Sequence, residues 1–155
     1  MKKILLEAIG NSIMVALFAA TLIEIYSTNA QYVADGSSFT TGIVSIVFLI
    51  YSITFSISKW LLSKKDKDYS VKDGEFSAAD EREKQNAYFA SIVSYKFMIT
   101  SLLIALIIFV SVHVFSQPPF IDQIDLFVSG IILFTSVICI GFLSYGIAWV
   151  FKDTI

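Results

Sequence analysis

Four residues with chemistry of their own sit inside otherwise apolar stretches: Glu7, Asn11, Glu24 and His113. An ionisable side chain in a membrane-spanning segment is a functional candidate by default, because it costs free energy to keep there. Glu7, Asn11, Met14, Phe18, Thr21 and Glu24 recur at intervals of three and four. A helix therefore puts them on one face, which is expected to point into a bundle. Read as coupling carboxylates, Glu7 and Glu24 would serve a proton- or cation-driven transporter. Read structurally, both lie within about a turn of a membrane surface, where a side chain reaches water cheaply. Glu7 also lies one turn from Lys3, a spacing that allows an ion pair. The structural reading is preferred. His113 is expected at the depth of Glu24, and such a pair would titrate near neutral pH. An interfacial histidine hydrogen-bonded to a loop is the plainer alternative.

Other chemistry is missing from the chain. One cysteine and one histidine allow neither an intrachain disulfide nor a His–His metal pair, and no Ser-His-Asp relay is evident within the membrane segments. The seven glycines are scattered and form no phosphate-cradling loop. Cys139, between Ile138 and Ile140, reads as a small apolar packer. No enzyme activity, metal or cofactor is expected.

The elements that must position these residues follow from composition. Of 155 residues, 56% are hydrophobic and 15% charged, with a mean hydropathy of +0.76. Soluble domains are nearer ~25% charged. The balance excludes a soluble enzyme, and a net charge of −2 offers no basic surface to nucleic acid. Four apolar runs, at about 4–26, 41–62, 87–115 and 126–151, reach the ~20 residues a membrane helix needs. They are too long and too continuous for barrel strands. The first run exceeds a signal-peptide core of ~7–15 residues and contains Glu7 and Asn11, so it reads as a retained span. The chain is then a single transmembrane domain over 1–155, all-α, with four transmembrane helices as two hairpins.

All eleven basic residues fall at the chain ends or in and beside the middle connection, and 27–40 and 116–125 carry none. The positive-inside rule then puts both termini and the segment 63–86 in the cytoplasm. Trp60, Tyr95 and Trp149 are expected to mark the inner membrane interface. Pro118-Pro119 breaks the chain in the second outer loop.

Between Lys64 and Lys84 lie six basic and seven acidic residues, a solvated anchor more than a lipid-binding cluster. Ser77-Ala78-Ala79-Asp80 has the spacing of a helix-starting capping box. Asp80, Glu81 and Glu83 suit the positive end of the helix dipole. One helix is predicted from Ala78 to about Phe115, extending the third span into the cytoplasm. Asp80, Glu81, Arg82 and Lys84 there are candidate partner-binding residues.

Asp80-Glu81-Arg82, with Ala90 ten residues after the aspartate, resembles a family of small four-helix bacterial membrane proteins known only as a domain of unknown function. The likeness covers about a dozen residues, and Asn86-Ala87-Tyr88-Phe89 departs from the more basic run of that pattern. The resemblance implies the same topology and a bacterial cell membrane. It implies no activity.

Small and hydroxyl residues line the later spans: Gly42, Ser45, Ser52, Ser56 and Lys59 in the second, Ala90, Ser94, Ser101 and Ala105 in the third, Gly130, Gly141 and Ala148 in the fourth. They favour close helix packing over a pore. The function expected is that of a non-catalytic accessory or regulatory membrane protein, for example in toxin immunity or in modulating a transporter or sensor. Its partners would be the bilayer and either a membrane protein or a second copy. The alternative is a small oligomeric transporter or channel using Glu7 and Glu24.

Overall fold

The computed structural model describes residues 2–32, 42–65, 69, 72–74, 80–115 and 125–154, with only the backbone of 2, 29–32 and 112–115 included. Four helices carry nearly all of these residues: α1 Lys2–Tyr32, α2 Ile43–Lys65, α3 Glu81–Phe115 and α4 Leu126–Thr154. Each is long and apolar enough to cross a membrane. The chain is thus an all-helical protein of multi-pass membrane character. α3, at 35 residues, is about 52 Å long and exceeds the ~30 Å hydrocarbon layer.

Three helix starts are held by carboxylates. Asp80 Oδ1 accepts from the Glu83 amide at 2.9 Å, and the Asp80 carbonyl accepts from Lys84 N at 3.0 Å. The cap of α3 is therefore Asp80, three residues beyond Ser77, which lies outside the described residues. Asp80 with Glu83 supplies the cap-to-third-residue spacing that the Ser77–Asp80 pattern suggested. Asp125 caps α4 through the amides of Phe127 (2.9 Å) and Val128 (3.2 Å). The start of α2 is capped by Glu24, a residue of another helix.

The substantial helix contacts run in a row, α2 on α1, α1 on α4 and α4 on α3. α1 and α4 are central. α2 and α3 form the edges, with Ile50, Ile53, Leu103 and Ile107 each more than half exposed. In lipid such faces are solvated by acyl chains, and association depends on close packing and hydrogen bonds between helices. Small residues provide the close packing. A Cβ on Gly146 would lie 2.8 Å from that of Ala8, joining α4 to α1. One on Gly141 would lie 2.6 Å from Met98 Sδ, joining α4 to α3. One on Gly10 would run into the Phe55 ring of α2. Hydrogen bonds follow the same contacts: Ser94 Oγ donates to the Gly141 carbonyl at 2.7 Å, Tyr51 to the Gly10 carbonyl at 3.1 Å, and Cys139 Sγ to the Ser12 carbonyl at 3.5 Å.

The apolar core lies where the start of α1 meets the start of α3 and the end of α4. It comprises Ile4, Ala90, Tyr145, Ala148 and Trp149. Trp149 is only 2% exposed and is a core residue. Trp60 and Tyr95 are more than half exposed and remain available to mark an interface.

Candidate functional site

The stripe on α1 that carries the two glutamates is the face that meets α2. Glu7 and Asn11 meet the end of α2, the Phe18 ring sits 5.7 Å from that of Phe48, and Glu24 meets the start of α2. Gly42, Ser45 and Lys59 lie opposite them, so the two polar stripes read from the sequence largely face each other. Ser56 departs from this and is exposed.

Glu7 has no exposed surface. It is therefore a sealed carboxylate, and the expectation that it reaches water does not hold. Its partner is also different: the Lys59 ammonium approaches Oε2 to 2.6 Å, as an ion pair without aligned hydrogen-bond geometry. The same ammonium donates to Asn11 Oδ1 at 3.3 Å and stands 4.5 Å over the Phe55 ring. The Tyr69 hydroxyl donates to Glu7 Oε1. Tyr69 is 4% exposed, and it comes from the connection between α2 and α3. Burial first, then the hydrogen bond and the negative charge of Glu7, raise the Tyr69 phenol above its ordinary value. A neutral phenol donating to an ionised carboxylate is the stable arrangement. Gly74 also approaches: a Cβ there would be 3.9 Å from the Glu7 carboxylate, and its φ of +54° is one glycine adopts without strain. Lys3 is engaged elsewhere, paired with Glu83 of α3 at 3.2 Å.

Glu24 does different work. Its Oε1 accepts from the Val44 amide at 3.2 Å, and its Oε2 accepts from the amide and hydroxyl of Ser45 at 3.1 and 3.3 Å. These amides belong to the first turn of α2, where helical backbone leaves donors unpaired and the dipole favours a carboxylate. Gly42 makes room, since a Cβ there would overlap the Glu24 carboxylate. Seventeen residues separate Glu7 from Glu24, about 25 Å along α1. Each carboxylate has its own donors at its own end. His113 lies in the last turn of α3, and its side chain, with any pairing to Glu24, is outside the described residues.

The start of α3 is partly committed as well. Arg82 Nη2 donates to the Asp153 carbonyl at 2.7 Å and lies 3.7 Å from its carboxylate. Asn86, 2% exposed, donates to Asp153 Oδ1 at 3.1 Å. Asp80 is the cap. Of the four partner-binding candidates, Glu81 and Lys84 are exposed and stand outside these contacts.

Sequence reasoning missed Tyr69, Gly74 and the Glu7–Lys59 pairing. Lys59 carried a signal, since a lysine six residues inside the end of α2 requires an anion. Tyr69 and Gly74 carried none, because the sequence between α2 and α3 has no apolar periodicity.

Comparison with protein-family models, with curated proteins and with solved structures gives no match to the chain.

Proposed function

We propose that this chain is a non-catalytic membrane accessory or regulatory protein that presents the start of α3 to a partner. In this reading the helices form two hairpins in a bacterial cell membrane. Both termini and the connection carrying Tyr69 are cytoplasmic, and α3 projects beyond the bilayer. The observation that carries it is the commitment of the membrane carboxylates to structure: Glu7 ties the α2–α3 connection to α1 and α2, and Glu24 caps α2. Among the described residues, Glu81 and Lys84 are exposed charges on the capped start of α3 that enter none of the ion pairs. The transporter alternative needs Glu7 and Glu24 on one pathway, and their separate partners about 25 Å apart give it little support.

The test is purification from the native membrane in mild detergent, with mass spectrometry of what accompanies the protein. The expected result is a stoichiometric membrane-protein companion, reduced at least several-fold by Glu81→Lys with Lys84→Glu and retained in Glu24→Gln. Proton-coupled flux in liposomes that Glu24→Gln abolishes would overturn the proposal.

A further inference from the structure

Two ridges of large side chains border a groove on one side of the α3–α4 contact. Phe89, Val93 and Phe97 repeat every four residues on α3, and Leu143, Ile147 and Phe151 do so on α4. Between them the groove encloses about 450 Å³ with almost wholly apolar walls. That is within the ~300–1,000 Å³ of small-molecule sites. It is open to the surface of the helix pair, as entry of an acyl chain requires.

Charge distinguishes this groove from ordinary lipid-facing surface. The Lys152 ammonium stands 6.0 Å from the centre of the Phe89 ring, at the mouth. Lys96 follows Phe89 by seven residues, two helical turns, and so lies on the same stripe of α3 about 10 Å further along. Lys96 does not line the groove, but helical side chains tilt toward the helix start, so its long flexible stem can extend back toward the level of Phe89. Among the described residues neither lysine forms an ion pair, whereas Lys3, Lys59 and Arg82 all do. An exposed lysine within an apolar span requires an anion or a route to the headgroups. A phosphate at the mouth supplies both lysines with one.

We infer that the groove between α3 and α4 binds an anionic phospholipid, one acyl chain along the ridges and its phosphate between Lys152 and Lys96. The inference needs the chain to lie in a bilayer and is independent of the partner reading above. The bound lipid neutralises two cations that form no ion pair among the described residues. Each lysine near an anionic headgroup is worth about fivefold in affinity.

The experiment is native mass spectrometry of the delipidated full chain with phosphatidylglycerol and phosphatidylcholine of matched acyl chains, supplied in equal amounts. One phosphatidylglycerol is expected to be retained in clear excess over phosphatidylcholine. Lys152→Gln with Lys96→Gln should bring the two lipids to parity, a drop of roughly 25-fold in phosphatidylglycerol affinity. Ile147→Trp, at a ridge position 68% exposed, should reduce retention by filling the groove while both lysines remain. Lys152→Arg should preserve the preference. Equal retention of the two lipids by the wild-type chain would overturn the proposal. So would full retention in Ile147→Trp, which decides the matter if the double variant fails to fold. A polypeptide from the native membrane that crosslinks to position 97 and excludes phosphatidylglycerol would also overturn it.

Discussion

Glu7 shows how one buried charge can organise chain that has no helical periodicity of its own. With the carboxylate ionised, Lys59 and Tyr69 are both satisfied. Remove it, and an ammonium 20% exposed faces an apolar ring and an amide with no counter-ion. Breaking a buried pair from one side costs about 3–5 kcal/mol, and removing both charges costs less. Glu7→Gln should therefore lower the unfolding midpoint in detergent clearly, and Glu7→Gln with Lys59→Met should recover much of the loss. Equal midpoints for the two variants would show that the pair contributes nothing. Tyr69 adds a pH dependence. Its folded pKa lies above the unfolded value of ~10, so its contribution is complete below that pH and is lost as pH rises through the folded value. Protease cutting of the α2–α3 connection should thus increase only above about pH 10. Tyr69→Phe, which lacks both the donor and the ionisation, should show faster cutting at neutral pH and no alkaline step.

Helix ends and helix neighbours are decided by different information. That four helices exist, and nearly where they lie, was legible from runs of apolar residues: 126–151 as read became Leu126–Thr154, and 41–62 became Ile43–Lys65. The start of α3 was legible to within three residues, because carboxylates and hydroxyls at a helix start serve the same unpaired amides. Glu24 was misjudged for a reason of the same kind. A cap supplied from another helix has no local spacing, so the sequence marked the residue and could not give its task. Nor could it give the row α2–α1–α4–α3. In lipid, hydrophobicity does not select which face is buried, and the choice falls to Gly10, Gly141 and Gly146, whose contacts emerge only in three dimensions. The interhelical cap predicts that Glu24→Ala loosens the first turn of α2, at a cost of about 0.5–2 kcal/mol. Hydrogen exchange at Val44 and Ser45 should rise accordingly, with exchange in α4 unchanged. Gly42→Val should reproduce the defect by displacing the carboxylate. Unaltered exchange at both amides in Glu24→Ala would mean that Glu24 is dispensable there.

In a row of four helices each edge helix has one extensive neighbour, and its stability as a unit depends also on contacts at the two ends. At one end Lys3–Glu83, Glu7–Lys59 and Arg82–Asp153 join the start of α1 to α3 and α2, and the start of α3 to the end of α4. At the other, Glu24 holds α2 and the Tyr26 and Phe127 rings meet at 4.6 Å. The basic residues concentrate at the first end, and a membrane with a negative interior favours their retention there. In the proposed orientation the ion pairs and the insertion bias draw on overlapping side chains, Lys3, Lys59 and Arg82 among them. The consequence can be tested with Cys139 replaced by alanine and single cysteines placed at Lys84 and, separately, at Asp125. In intact cells a membrane-impermeant maleimide should label the cysteine at 125 and spare that at 84, and in inverted vesicles the pattern should reverse. Adding several lysines to the segment 33–41 between α1 and α2, which has none, should weaken the labelling contrast, because the charge bias then no longer distinguishes the two sides. A contrast that persists at full strength would assign the orientation to the ion-paired end instead of the charge bias. Labelling of both positions from the same side would exclude the arrangement of four crossings.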